Sequence, residues 1–177
     1  MEHSHLKSAV VFIDLINDFN FKHGEQLLHH TYHILPNIMK LKQFAQEHQM
    51  PIIYVNDHYG RWRADLQQLY DHCLSPETEK LLKAITPSVD DFFLIKPKHS
   101  GFYQSSLQSL LYELGVKRLI LSGVAGNICV LFTANDAYMR EYALWVPENA
   151  VASTNDRDNE FALLTMKQVL KADTTPI

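Results

Sequence analysis

Short, continuously apolar runs alternate along this chain with segments whose apolar residues recur at helical spacing. Five such runs occur, at residues 8–15, 51–56, 91–96, 117–122 and 142–147. Strands buried on both faces have this pattern, and strands that alternate with helices form parallel sheets. The sequence therefore predicts an α/β fold with three layers, α-β-α, around a doubly wound, mostly parallel sheet of five or six strands. A sixth strand at residues 173–177 is weakened by Pro176, because proline cannot donate to a sheet ladder.

Helices are predicted between these runs, over residues 33–49, 76–85, 107–114, 127–141 and 156–170. Asn127 stands where an N-cap is expected, because its side chain can accept a hydrogen bond from a free backbone N–H. Residues 57–75 mix charges and aromatics without a clear period and are predicted to form a long loop or a broken helix. No linker divides the chain, so residues 1–177 are expected to form a single domain.

The composition argues against several classes of partner. The chain carries a formal net charge of -4 with no basic stripe, which argues against nucleic acid. No apolar run approaches the roughly 20 residues of a membrane-spanning helix, and the first apolar segment is too short for a signal peptide. Only two cysteines, Cys73 and Cys129, are present, too few for a disulfide framework, so a cytoplasmic location is expected.

Four reactive side chains follow predicted strands. Asp14, Asp57, Lys96 and Cys129 come at or just after the first, second, third and fourth strands. The carboxyl ends of parallel strands meet at one edge of the sheet, where ligands bind in open α/β folds. Each residue alone has an ordinary interpretation: a turn carboxylate, a solvated lysine or an inert buried cysteine. Their coincidence at one edge favours a site, in which a helix N-terminus and the lysine would hold the Cys129 sulfur as an anion.

Three short motifs surround the reactive residues: Asp14, Asn17, Asp18 and Phe19; then Lys96, Ser100, Phe102, Ser105 and Leu107; then Gly123, Val124, Cys129, Val130, Thr133, Ala134, Asp136 and Ala137. In residue types and in order, they resemble the motifs of the isochorismatase-like cysteine hydrolases, the superfamily of nicotinamidases, N-carbamoylsarcosine amidohydrolases and isochorismatases. The similarity runs from about residue 8 to residue 165. Any one of the motifs is weak, but three in the family's order are specific.

This resemblance implies a catalytic triad of Asp14, Lys96 and Cys129. Asp14 would accept the thiol proton, the sulfur would attack a carbonyl carbon, and backbone N–H groups of Ala125 and Cys129 would form the oxyanion hole. A non-proline cis bond would lie between Val124 and Ala125. The substrate would be a small amide or carbamoyl compound, cleaved through a thioester without a cofactor. By the same resemblance, the protein is expected to be a homo-oligomer, a dimer or a tetramer.

Candidate substrate contacts are Phe19, Trp62 and Val124, which lie in or near the motifs or the irregular segment. Phe19 and Trp62 could form an aromatic wall against a flat amide, although ordinary packing explains them as well. Arg61 and Arg63 could clamp a substrate carboxylate, although exposed arginines on a loop are common.

The sequence departs from the family pattern at three places. Ile16 replaces a usual glutamine, and Gly126 replaces a usual threonine and would loosen the turn before Cys129. The metal-binding pattern of the nicotinamidases is also incomplete: Asp57 matches, but Tyr59 stands where a histidine is expected. The nearby His58 and His72 have the wrong spacing. No metal is therefore predicted.

Two alternative functions stay open. Isochorismatases, which cleave a vinyl ether, resemble this chain but lack a cysteine at the position of Cys129. A catalytically degenerate family member could act as a binding or assembly module, which only Ile16 and Gly126 favour. Cys73 has no charged partner near it in the sequence and is expected to be structural.

Overall fold

One parallel sheet of six strands forms the middle layer of the computed structural model, which describes residues 6–177. The strands are β1 Ser8–Ile13, β2 Ile52–Asp57, β3 Phe92–Lys96, β4 Arg118–Val124, β5 Ala143–Trp145 and β6 Val151–Ala152. Their order is β3-β2-β1-β4-β5, with β6 paired to the carboxyl end of β4. The strand order reverses between β1 and β4, so a crevice opens there at the carboxyl edge. The predicted α/β fold is confirmed.

Helices cover both faces of the sheet. They are α1 Gly24–Glu47, α2 Leu66–Cys73, α3 Glu79–Ile85, α4 Leu107–Glu113, α5 Leu131–Met139 and α6 Asp156–Gln168. Successive side chains of β1 point to opposite faces: Val11 packs with residues of α4, α5 and α6, and Phe12 packs with residues of α1, α2 and α3. Two apolar cores therefore flank the sheet and complete the three layers.

The edges of the sheet differ from the prediction. The sixth strand is Val151–Ala152, not residues 173–177, and Asp173 makes only a single bridge to Trp145. The shortness of β6 explains why the apolar pattern missed it. The first helix begins at Gly24 rather than at residue 33, because its buried stripe already includes Leu27 and Thr31.

The two irregular segments also take a definite form. Within residues 57–75, α2 begins after Asp65, whose carboxylate accepts a hydrogen bond from the backbone N–H of Gln68. The predicted N-cap at Asn127 is wrong: the chain after β4 forms a π-helical turn, Gly126–Val130, that runs on into α5. Among the described residues, the buried side-chain oxygen of Asn127 has no hydrogen-bond partner.

Within residues 6–177, no helix has the length and apolarity needed to cross a membrane.

Candidate active site

The reactive side chains predicted to share one edge of the sheet do meet there. Asp14 directly follows β1, Lys96 is the last residue of β3, and Cys129 lies in the π-helical turn after β4. The Nζ atom of Lys96 lies 2.8 Å from Oδ2 of Asp14 and 3.5 Å from Sγ of Cys129. A carboxylate, an ammonium and a thiol are therefore in contact, although the three residues are far apart in the sequence.

The Asp14–Lys96 ion pair is shielded from solvent and held by backbone groups. The side chain of Lys96 is 1% exposed and that of Asp14 is 8% exposed. Lys96 also donates to the carbonyl oxygen of Lys98 at 3.1 Å, and Oδ1 of Asp14 accepts the backbone N–H of Asp57 at 2.8 Å. Buried charges need such additional hydrogen bonds to repay their desolvation. Each oxygen of the Asp14 carboxylate thus already has a donor.

The environment of the Cys129 sulfur raises the pKa of the thiol, whereas the sequence predicts a lowered one. Burial, together with the negative charge of Asp14, raises the pKa of Cys129 to about 12, against the opposing effect of Lys96. Lys96 lowers the pKa of Cys129 as expected, but burial and Asp14 outweigh its effect, so the expected net lowering is wrong. The turn that carries Cys129 is π-helical and packed against buried groups, so desolvation outweighs the favourable charge.

Lys96 remains an ammonium ion. Burial alone would lower its pKa, but the attraction of Asp14, with a smaller contribution from Asp57, raises the pKa above its ordinary value. The ammonium of Lys96 therefore lies beside a thiol whose own pKa is raised. A thiol proton can move to Asp14 when the sulfur attacks, and Lys96 then faces the sulfur as its counter-charge.

The peptide bond between Val124 and Ala125 is cis, as the resemblance predicts. The carbonyl oxygen of Ala125 accepts hydrogen bonds from Ile128 at 3.1 Å and from Val130 at 3.2 Å. This carbonyl is therefore fixed within the turn that carries the cysteine.

Gly126 is a close-packing position rather than a loosened turn. A Cβ atom on Gly126 would lie 2.4 Å from Oδ1 of Asn159 and 2.7 Å from Cγ1 of Val151. That space is taken by a polar pair: the hydroxyl of Ser153 donates to Asn159 and accepts the backbone N–H of Asn127 at 3.1 Å. Glycine thus allows β6 and α6 to hold the turn directly, and the expected loosening is wrong.

Hydrogen bonds tie the segment after β3 to the helix that follows Cys129. The hydroxyl of Ser100 donates to Asp136, which also pairs with Arg140 at 3.0 Å. The backbone N–H of Gly101 donates to the hydroxyl of Thr133 at 2.9 Å, and this hydroxyl donates to the carbonyl oxygen of Cys129 at 2.7 Å. The second motif therefore supports the third.

The sulfur faces a cavity of about 230 Å³. Its lining combines the polar site with an apolar rim: Asp14, Asn17, Phe21, Leu27, Asp57, Tyr59, His99, Ala125, Ile128, Cys129 and Thr154. This volume is below the usual range of drug-sized ligand pockets. The cavity therefore suits a small molecule.

The three predicted substrate contacts do not line this cavity. Phe19 and Val124 are buried in the apolar core beside α1. Trp62 is 68% exposed and stacks on His58 with ring centroids 4.3 Å apart. Packing requirements near the motifs, not ligand contact, explain the first two residues.

Neither arginine lines the cavity. Arg61 instead lies 3.3 Å from Nδ1 of His72.

The possible metal ligands do not converge. Asp57 accepts the backbone N–H of Tyr59, His58 accepts that of Gly60, and His72 contacts Asp18 at 3.4 Å. Among residues 6–177, no group of three His, Cys, Asp or Glu side chains could hold a metal ion.

Sequence reasoning missed several cavity residues. Asn17 was part of a motif but was not assigned to the site. His99 directly precedes the motif residue Ser100, and Tyr59 lies two residues after Asp57. Their closeness in the sequence to these positions could have identified them. Phe21 and Thr154 come from loops with no sequence signal, and only the folded geometry identifies them.

The structure accounts for the isoleucine at position 16, where the family motif usually has glutamine. Its side chain is fully buried, and its carbonyl oxygen accepts hydrogen bonds from Asn56 and from the hydroxyl of Tyr59. The residue therefore supports a wall of the cavity through its backbone.

Comparison with known proteins gives a consistent answer. Residues 8–175 match the family model of the Isochorismatase domain. The chain is 50% identical over 167 residues to the uncharacterized isochorismatase family protein YaaI of Bacillus subtilis strain 168, covering 94% of this chain and 92% of that protein.

Solved structures of two amidases have a similar fold. The nicotinamidase SaPncA from Staphylococcus aureus is 26% identical with a TM-score of 0.74, covering 96% of this chain and 98% of that one. The N-carbamoylsarcosine amidase from Thermoplasma acidophilum is 25% identical with a TM-score of 0.74, covering 97% and 96%. With a parallel sheet, three matching motifs and a family match over nearly its whole length, the chain belongs to the isochorismatase family of hydrolases.

Proposed function

We propose that this protein is a cysteine hydrolase that cleaves a C–N bond in a small amide or carbamoyl compound. The observation that carries the proposal is the placement of the Cys129 sulfur at the wall of a cavity, 3.5 Å from the Lys96 ammonium, which is itself paired with Asp14 at 2.8 Å. A nucleophile, a base and a counter-charge in contact are the parts that acyl transfer needs.

In the first half of the cycle, Cys129 attacks the substrate carbonyl carbon. The thiol proton passes to Asp14 as the carbon–sulfur bond forms, and Lys96 stabilises the charge that develops on sulfur. Backbone N–H groups of Ala125 and Cys129 are proposed to bind the oxyanion, a contribution typically of about 10²–10³ in rate for one donor. Asp14 returns the proton to the leaving nitrogen, the C–N bond breaks, and a thioester stays on the enzyme.

In the second half, water hydrolyses the thioester and releases the acid. This step restores the Cys129 thiol, while Asp14 became a carboxylate again when it gave its proton to the leaving nitrogen, so no cofactor is consumed.

The charges around the cavity support a substrate with an uncharged reacting end. Asp14 and Asp57 contribute negative charge, and Lys96 is already paired. No arginine of the described residues lines the cavity. An uncharged amide or carbamoyl group avoids the repulsion that a carboxylate next to Asp57 would meet. The two amidases with similar folds are named for small amide and carbamoyl substrates.

The test is a screen of small amides, ureas and carbamoyl acids for ammonia release, starting with nicotinamide and N-carbamoylsarcosine. Cys129→Ala should abolish the release and keep the folded circular-dichroism spectrum, and Cys73→Ala should keep the activity. Parental turnover by Cys129→Ala would remove the assignment of the nucleophile. A vinyl ether hydrolase or a binding module gives no ammonia from any compound.

The expected homo-oligomer and the cytoplasmic location stay predictions. Sedimentation of the purified protein tests the first.

A further inference from the structure

His99 is a titratable side chain of the cavity that has no part in the proposed cycle. His99 lies three residues after Lys96, on the outer rim of the cavity. Its Nδ1 atom is 4.0 Å from the sulfur of Cys129. Lys96 approaches the same sulfur from the buried side at 3.5 Å. The nucleophile thus stands between a fixed cation inside the protein and an imidazole that is open to solvent.

The neighbours of His99 hold it in position. Ser100 and Gly101, the next two residues, are hydrogen-bonded to Asp136 and Thr133 of α5. The imidazole ring lies against the ring of Phe132, with the centroids 5.7 Å apart. Although His99 is exposed, both its backbone and its ring are therefore located relative to the helix that follows Cys129.

The second half of the cycle needs a base on the open side of the sulfur. Once the sulfur is acylated, water reaches the thioester from the cavity. Asp14 serves the first half of the cycle and is held in an ion pair with the buried Lys96 at 2.8 Å, whereas His99 is exposed beside the sulfur. Nδ1 of His99 is 4.0 Å from the sulfur that carries the acyl group. At that distance the imidazole can reach a water molecule that attacks the thioester carbon, directly or through one further water.

We propose that His99 is the general base of deacylation and the proton donor to the departing sulfur. This inference rests on the proposed function. Neutral His99 takes a proton from water while the water oxygen bonds to the thioester carbon. The tetrahedral intermediate collapses, the carbon–sulfur bond breaks, and the imidazolium gives its proton to the sulfur. One water and one thioester become one acid and one thiol, and His99 is neutral again.

The surroundings of His99 allow it to exchange protons. Cys129 and Phe132 face it from the turn and from α5, and Asp14, Asp57 and Tyr59 face it across the cavity from the ends of β1 and β2. Lys98 is its exposed neighbour in the chain, and Lys96 lies behind the sulfur. Imidazole is the side chain that most often serves as a general acid or base in enzymes.

The experiment separates the two halves of the cycle with p-nitrophenyl acetate. Its leaving group departs without a proton, so acylation needs no acid. We expect His99→Asn to keep the p-nitrophenolate burst within about threefold of wild type and to lose about 10²-fold in the deacylation rate, since general base catalysis typically contributes 10²–10⁴. Deacylation is followed by intact mass after excess reagent is removed, with peptide mapping to place the acetyl group on Cys129.

Lys98→Ala is the matched control, because it changes an exposed side chain on the same segment. Both of its rates should match those of wild type. An unchanged deacylation rate in His99→Asn, or an equal fall of acylation and deacylation in that variant, overturns the role of His99 and leaves the proposed nucleophile intact. A burst that persists in Cys129→Ala contradicts the proposed function instead.

Discussion

The two cysteines of this protein, one buried and one half-buried, have different surroundings. Burial raises the pKa of Cys73 and of Cys129 to about 12. Cys73 ends α2, is 1% exposed and packs within the core beside α1, where Asp18 adds a nearby negative charge. Cys129 lines a cavity and contacts Lys96. The resting pKa of a thiol therefore does not distinguish these two residues.

The neighbours of Cys129 separate it from Cys73. A thiol with a raised pKa can still act as a nucleophile if its proton has a place to go and the resulting anion has a counter-charge. Cys129 has Asp14 for the first and Lys96 for the second.

Removing the positive charge of Lys96 should abolish the function of Cys129 as a nucleophile. In Lys96→Met, the buried carboxylate of Asp14 loses its partner, which typically costs about 3–5 kcal/mol of unfolding free energy. The thiol pKa should rise further, because Lys96 opposes the effects of burial and Asp14. We expect turnover to fall below detection, measured as ammonia release, and denaturant unfolding to shift accordingly.

Lys98→Met provides the control for that experiment. It removes a lysine of the same segment whose side chain is exposed, and it should change neither stability nor turnover. If Lys96→Met kept near-normal activity and stability, the neighbours of Cys129 would not explain its role.

The two cysteines also differ in how tightly the neighbouring backbone is packed, and Gly126 shows this for the turn that carries Cys129. In Gly126→Thr, the new Cβ atom clashes with Asn159 and Val151, because both lie closer to it than a van der Waals contact allows. Overpacking of this kind typically costs about 1–3 kcal/mol. We expect lower thermal stability and a lower rate of Cys129 alkylation, whereas Cys73 should be unaffected. Asn159→Ala should partly restore the stability of Gly126→Thr, and a lack of any rescue would contradict the packing argument.

The fold followed from the sequence wherever a pattern was long or continuous. The first four strands were predicted close to their observed bounds, because strands covered by helices on both faces must be apolar throughout. The sequence pattern did not predict the two-residue strand β6 or the start of α1. Their hydrogen bonds depend on neighbours that only the assembled fold supplies, such as the pairing of Val151 with Gly123.

The candidate site was predictable in its reactive residues but not in its walls or electrostatics. Asp14, Lys96 and Cys129 each end or follow a strand, and parallel strands bring such ends together. Phe19 and Trp62 are both candidate aromatic contacts in the sequence, yet neither lines the cavity. The direction of the Cys129 pKa depends on how much desolvation the packing imposes, and no local pattern reports that quantity.

The charge of Asp14 can be used to change Cys129 without touching Cys73. Asp14 raises the pKa of Cys129, so Asp14→Asn should lower that pKa. Since the thiolate is the reactive form, iodoacetamide should label Cys129 about tenfold faster at pH 8 for each unit by which the pKa falls. Turnover should nevertheless stop, because the proton acceptor is gone.

The pH dependence of iodoacetamide labelling shows in which direction Asp14 shifts the pKa of Cys129. With a pKa of about 12, the wild-type labelling rate should rise from pH 7 to pH 10 without a plateau. The Asp14→Asn profile should be displaced to lower pH. Peptide mapping separates the two cysteines, and identical profiles for the two proteins would show that Asp14 does not control the thiol.

The smallest effect concerns Cys73, which should contribute to stability and not to chemistry. Cys73→Ala removes one buried sulfur and should lower the unfolding free energy at pH 8 by about 1 kcal/mol, a common size for such a change. The pKa of this thiol rises from 9.0 to about 12 on folding, so its contribution is complete below pH 9 and is lost as the pH rises toward 12. The stability advantage of wild type over Cys73→Ala, measured by denaturant unfolding, should therefore narrow between pH 8 and pH 9.5. The other cysteine is present in both proteins and cancels from the difference. A gap that widened with pH would mean that burial does not favour the neutral form of Cys73.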